Sequence, residues 1–153
     1  MLVAVNRFEQ WLTTTDFEVT VREFPAGTRT APDAARAVGC GVGQIVKSLV
    51  FLAGGRPVVA LVSGANRLDE NRLGAVAGRP VAKADAETAR AATGYSIGGV
   101  PPFGHASDLP VFMDRDLFGY DVIWAAAGRP DSVFEIQPER LRELSNAVVV
   151  DLK

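Results

Sequence analysis

The chain reads as a single α/β domain whose strands are mostly joined by hairpins, with helices inserted between them. Three observations predict this. Two β-rich runs, 42–52 and 58–62, flank the turn Gly54-Gly55-Arg56-Pro57, the pattern of a hairpin. Short helical patterns alternate with short apolar runs, and polar caps or glycines punctuate them. The 153 residues are 48% hydrophobic and 22% charged. That suffices for one core and excludes disordered and fibrous classes.

The elements follow in order. Val3, Val5, Phe8, Trp11 and Leu12 have helical spacing over 3–12, and Thr13-Thr14-Thr15-Asp16 breaks it. Phe17, Val19 and Val21 alternate with Glu18 and Thr20, predicting a half-buried strand over 17–21. Pro25-Ala26-Gly27 is a loop. Thr30, with Asp33 three positions on, resembles a capping box; it opens a helix over 33–38 that ends at Gly39. Leu68, Leu73 and Val76 mark a helix over 69–77, stopped by Gly78, and another spans 85–92, stopped by Gly94. The stretch 94–105 is the least regular. Three β-like runs follow at 111–113, 122–126 and 133–136, then a helix over 138–144 and a last strand over 147–151. No repeat, low-complexity tract or linker divides the chain, so 1–153 reads as one domain.

Composition narrows the function. Lys plus Arg total 16 and Asp plus Glu 18, a net charge of −2. A whole-surface nucleic-acid binder is basic, so DNA is not an expected partner, and any nucleic acid is held at a local site. The single cysteine, Cys40, excludes an internal disulfide and a CxxC zinc site. The single histidine, His105, excludes His-rich metal sites. No metal and no cofactor is expected. No apolar run approaches the roughly 18 residues of a membrane span, and the N-terminus is too short and polar for a signal peptide. The expectation is a soluble cytoplasmic protein with no membrane partner.

Chemistry concentrates in two places. No Gly-x-Ser-x-Gly elbow, P-loop or dinucleotide fingerprint is present, and Gly39-Cys40-Gly41-Val42-Gly43 lacks the preceding strand such a loop needs. Lys47 sits among Ile45, Val46, Leu49 and Val50. It is either a snorkelling side chain or a fixed charge for a phosphate or oxyanion. The loop Gly98-Gly99-Val100-Pro101-Pro102-Phe103-Gly104 is either a tight structural turn or a rigid pocket wall. In the second case the N–H groups of Gly99 and Val100 face a ligand. Nothing near Cys40 supplies the base a nucleophilic thiol needs. Trp11 and Trp124 read as core or rim packing. Arg22, Arg29, Arg56 and Arg67 are either contacts to a bound nucleic acid or scattered surface charges.

These residues resemble the YbaK/EbsC-type family, the stand-alone relatives of the editing domain inserted in bacterial prolyl-tRNA synthetase. The Ala-rich helix Asp33-Ala34-Ala35-Arg36-Ala37-Val38-Gly39 precedes Gln44-Ile45-Val46-Lys47-Ser48-Leu49-Val50, which resembles the family's essential-lysine strand. Asn71-Arg72-Leu73 lies in the helix after the hairpin, and the stretch from Thr93 to Gly104 resembles the family's Gly-x-x-x-Pro loop. Ala126-Ala127-Gly128-Arg129, Glu135-Ile136 and the run from Pro138 to Leu141 resemble its closing segment. The resemblance covers about residues 17–152.

The resemblance implies a mixed, strongly curved β-sheet with helices packed around it. It implies an aminoacyl-tRNA deacylase that trans-edits tRNA for proline carrying a small noncognate amino acid such as alanine or cysteine. The mechanism would be largely substrate-assisted, thiol-assisted for a cysteinyl ester. Partners would be the acceptor end of aminoacyl-tRNA and prolyl-tRNA synthetase. Lys47 would bind the terminal-adenosine phosphate or ribose. Gly98, Gly99 and Val100 would position the ester carbonyl, and Pro101, Pro102 and Phe103 would line the substrate. Gly128 would approach the substrate's amino group. Two departures stand out within the loop: Pro101, where many relatives carry Ser or Thr, and His105, where others have Leu or Gln. His105 either orients water or is structural. Gly128-Arg129-Pro130-Asp131 replaces Gly-Lys-Arg-Gly; Asp131 either contacts a substrate ammonium or caps a turn. The alternatives to the deacylase are an inactive acceptor-end binding module associating with a synthetase, or a hydrolase of another small acyl ester.

Overall fold

We describe residues 7–24 and 30–153 of a computed structural model of the chain. The expected helix positions Val3 and Val5, the loop Pro25-Ala26-Gly27 and Arg29 lie outside them. The elements are α1 (Arg7–Leu12), β1 (Val21–Glu23), α2 (Ala31–Val38), β2 (Val46–Ala53), β3 (Arg56–Ser63), α3 (Glu70–Ala77) and β4 (Val81–Lys83). There follow α4 (Ala86–Thr93), β5 (Val111–Asp114), β6 (Ile123–Ala126), β7 (Ser132–Ile136), α5 (Pro138–Ser145) and β8 (Val148–Val150).

Helix starts follow their caps. Thr30 accepts from the Asp33 N–H, Asp69 from those of Asn71 and Arg72, and Asp85 from that of Thr88; each satisfies an orphan donor of the first turn. Gly39, Gly78 and Gly94 end α2, α3 and α4.

The strands form a mixed five-stranded ladder, β4-β2-β3-β5-β8, and a three-stranded antiparallel ladder, β1-β7-β6. A parallel bridge between Ile45 and Trp124 ties the two together. The expected hairpin exists at β2–β3, and β6 and β7 form a second antiparallel pair. However, β3–β5 and β5–β8 are parallel. Parallel neighbours need crossovers, and the segments carrying α3, β4 and α4, and later α5, supply them. The apolar run from Val58 to Val62 is explained by β3's place inside the sheet. Val59 and Leu61 enter the main core, with Phe8, Met113, Phe134 and Leu141. Val58, Ala60 and Val62 enter a second core on the other face, with Phe51, Leu73 and Leu152.

Two local expectations are corrected. Of 17–21, only Val21 enters a strand, opposite Phe134 of β7. Phe17 and Val19 still pack on the core, as their alternation predicted. Strand β4 was missed; three residues with mostly exposed side chains carry no local signal, and only pairing with β2 makes them a strand. No helix among the described residues is long and apolar enough to cross a membrane.

Candidate functional site

A cavity of ≈ 370 Å³ opens where the two ladders meet. Its walls are the start of α2 (Ala31, Ala34), the first half of β2, β6 with Val133 of β7, and the turn that carries Ile97, Gly98 and Val100. Among the described residues the lining is apolar apart from Thr30, Lys47 and Ser48, and none of them brings a carboxylate, imidazole or thiol.

The turn is fixed from two sides. Gly99 donates its N–H to the Ser96 carbonyl at 3.0 Å, and Gly98 adopts φ +90°. A positive φ at that third position requires glycine. A Cβ on Gly99 would lie 2.9 Å from both Cα and C of Arg129, so the turn rests directly on the β6–β7 connection. Behind it, Tyr95 donates its hydroxyl to the Gly104 carbonyl at 2.8 Å. Phe103 anchors the loop in the core, stacking on Phe8 at 5.6 Å and meeting Trp11 at 4.9 Å.

Lys47 is a positioned ammonium. Its Nζ donates to the Asn66 carbonyl at 2.6 Å. Asn66 is held in turn by donating from Nδ2 to Asp114 and Asp116, 2.8 Å each. Asp114 is buried and also accepts the Ser63 N–H at 3.1 Å. Partial burial pushes the Lys47 pKa below its ordinary value, against the opposing pull of Asp114. One of its three ammonium donors is thus committed among the described residues.

A model of the aminoacyl-tRNA editing domain family matches residues 25–144. The chain belongs to this family. Among sequence relatives of this editing domain, the uncharacterized protein YwhH of Bacillus subtilis is 32% identical over 92% of the chain and 87% of its own length. The proline–tRNA ligase of Elusimicrobium minutum is 34% identical over 81% of the chain but 22% of the ligase. The editing domain therefore spans about a fifth of that ligase. A solved structure of a candidate trans-editing enzyme for prolyl tRNA synthetase superposes with a TM-score of 0.91 at 48% identity, covering 96% of this chain and 94% of that one.

The predicted residues of the editing domain divide into two groups. Lys47, Gly98 and Val100 line the cavity. Gly99 adjoins it, but its N–H closes the turn and is not free for a ligand; the Val100 N–H makes no hydrogen bond among the described residues. Pro101, Pro102, Phe103, His105, Gly128 and Asp131 are not in the lining. Phe103 is only 3% exposed, inside the aromatic core. His105 donates from Nε2 to the Pro101 carbonyl at 2.7 Å; the carbonyl can only accept, so Nε2 carries the proton. Burial holds this imidazole below its usual pKa, which suits a structural brace. Gly128 lies in the β6–β7 connection at φ +99°. Asp131 faces Arg129 at 3.6 Å, and its carbonyl accepts the Phe24 N–H. The Cys40 thiol has its pKa raised by burial, consistent with an inert side chain.

Among the lining residues not singled out from sequence as substrate contacts are Thr30, Ser48, Ile97 and Trp124. Ser48 follows the lysine directly, and its buried Oγ has no hydrogen-bond partner among the described residues. Buried hydroxyls are normally satisfied, so it stands out. Ile97 is 55% exposed at the rim. The Asn66–Asp114 brace of Lys47 was also missed, because its members are 48 positions apart.

Proposed function

We propose that this editing domain hydrolyses the ester of mischarged tRNA for proline that carries a small noncognate amino acid, alanine, cysteine or similar. The observation that carries this reading is the cavity: small, apolar, walled by a fixed turn, with one positioned ammonium and no nucleophile–base pair in its lining. Such a site holds an acyl group and relies on the substrate for its proton transfers. Lys47 binds the terminal nucleoside end, and the free Val100 N–H donates to the ester carbonyl where negative charge develops. A water oxygen bonds to the carbonyl carbon, the bond to the ribose oxygen breaks, and the water's proton passes to that oxygen through the neighbouring ribose hydroxyl. For a cysteinyl ester the substrate thiol bonds to its own carbonyl carbon instead, the bond to the ribose oxygen breaks as the thiol proton passes to that oxygen, and water then opens the released thiolactone to cysteine.

A second site that destroys the wrong product answers a selection problem. A synthetic site distinguishes one methylene by only about 1–3 kcal/mol, so smaller amino acids pass it. A cavity of ≈ 370 Å³ then accepts the small errors. Prolyl-tRNA synthetase, which produces those errors, is the proposed partner. The test compares alanyl and cysteinyl esters on tRNA for proline ending in adenosine or 2′-deoxyadenosine. Hydrolysis that depends on the 2′-hydroxyl for alanine supports substrate assistance. Equal rates on both termini would remove the ribose hydroxyl from the mechanism, and no hydrolysis of either ester would leave the acceptor-end binding module.

A further inference from the structure

We propose that Arg22 clamps the phosphodiester that precedes the terminal nucleoside of the bound acceptor end; this rests on reading the cavity as an aminoacyl-tRNA site. The strand register places Arg22 there. Arg22 of β1 pairs with Val133 of β7, which pairs with Ala126 of β6. Directly paired residues share a sheet face. Val133, Ala126 and, two residues from Ala126, Trp124 all line the cavity. The alternate residues Val21, Phe134 and Ile123 turn to the core; Ala125 packs in the core and also borders the cavity. Arg22 therefore extends the cavity-lining face one strand outward, onto exposed surface.

The side chain is also held ready. The guanidinium carbon lies 5.1 Å from the Phe24 ring centre and 5.4 Å from that of Trp124. Guanidinium stacking of this kind leaves the N–H edge free, in the planar fork that matches a phosphate. Arg22 makes no ion pair among the described residues. Glu23 beside it pairs with Arg129, and Glu135, the acid on its own face, stands across from Trp124 without pairing to it. Lys47 is less suited to the full charge of a diester, since Asn66 and the field of Asp114 already engage it. The chemistry of the substrate fits this division. With the acyl group in the cavity, the terminal ribose separates the ester on its 2′- or 3′-oxygen from the phosphate on its 5′-oxygen, which then falls at the rim.

The test uses two esters of the accepted amino acid, one on an acceptor-stem minihelix and one on free adenosine, which has no phosphate. Arg22→Gln is expected to raise KM for the minihelix about tenfold with kcat within about twofold, and to leave hydrolysis of the adenosine ester unchanged. Arg22→Lys should recover only part of the loss, because an ammonium neither stacks nor forks. Binding of uncharged minihelix, followed by fluorescence anisotropy against salt, should lose about 0.7 from its log–log slope in Arg22→Gln. Equal losses on both esters would assign Arg22 to bracing Trp124 and overturn the clamp, as would an unchanged salt slope. If wild type hydrolyses neither ester, the deacylase reading fails, and the salt slope still decides Arg22.

Discussion

Replacing Gly99 by alanine tests whether the turn positions the chemistry. The added Cβ would stand 2.9 Å from Cα and C of Arg129 and 3.1 Å from its N. All three are backbone atoms, so no side-chain rotation relieves the contact. Restoring ordinary contact moves the turn by roughly 0.5–1 Å away from the β6–β7 connection, an overpacking that costs about 1–3 kcal/mol. For a chain of this size each kcal/mol lowers Tm by about 2–4 °C, so Tm should fall by roughly 2–12 °C. Activity should fall further. A displacement approaching 1 Å costs about a hundredfold. Unfolding cannot imitate that loss: removing 3 kcal/mol from a stability of about 5 still leaves roughly 97% of the molecules folded. The assay is single-turnover deacylation at 25 °C beside thermal unfolding by circular dichroism. Gly55→Ala is the control. Its φ is +85° with nothing within 4 Å of the new Cβ, so it carries a backbone strain of about 1 kcal/mol at a hairpin tip and should deacylate normally. A Gly99→Ala protein that deacylates within about twofold of wild type despite a lowered Tm would refute the positioning role of the turn.

Ser48→Ala removes a buried hydroxyl that has no partner; Tm should hold or rise, by up to about 1 kcal/mol of stability, while kcat/KM for the accepted ester falls about tenfold, and an unchanged kcat/KM would take Ser48 out of the site. Phe103→Ala empties a position 3% exposed and packed against Phe8, Trp11 and Phe134; the expected loss is about 3–5 kcal/mol, a Tm drop of roughly 6–20 °C, and a drop under 3 °C would contradict its core placement. His105 sets an acid dependence. Its folded pKa lies below the usual 6.5, so the unfolded chain binds the proton first, and stability present above pH 6.5 is lost as pH falls from 6.5 through the lowered value. Urea midpoints across that window should fall in wild type and fall less in His105→Gln, which keeps a donor for the Pro101 carbonyl; parallel curves would sink the assignment.

The parts of the fold visible in the sequence were those with local causes. Thr30, Asp69 and Asp85 announce their helices because the cap bonds lie within three residues. The β2–β3 hairpin is legible because its turn and both apolar arms are contiguous. β4 and the parallel pairs of β5 depend on distant partners and left no local trace. The site divides the same way. Lys47 stood out as a lone charge in an apolar run, and Gly98 as part of a glycine-proline loop. Gly99 was read as a ligand donor, because its contact with Arg129, thirty positions on, has no sequence signature. Phe103 was assigned to the substrate because it sits in that loop, whereas the aromatic residues of α1 claim it for the core. His105 and Asp131 are candidates from their places beside the loop and in the closing segment; the contacts they make, to the Pro101 carbonyl and to Arg129, join residues that sequence does not pair.

The most direct measurement of the central claim is deacylation of tRNA for proline charged separately with alanine, cysteine, serine and proline, by wild type and Lys47→Ala in parallel. Lys47→Ala gives up one hydrogen bond to the Asn66 carbonyl, a loss of about 1.5–3 kcal/mol for a charged donor, so its fold should survive. Rapid loss of a small noncognate amino acid with wild type, prolyl-tRNA spared, and no loss with the folded Lys47→Ala variant is the predicted result. Wild-type rates in Lys47→Ala would contradict the account, because the positioned ammonium would then have no part in the site.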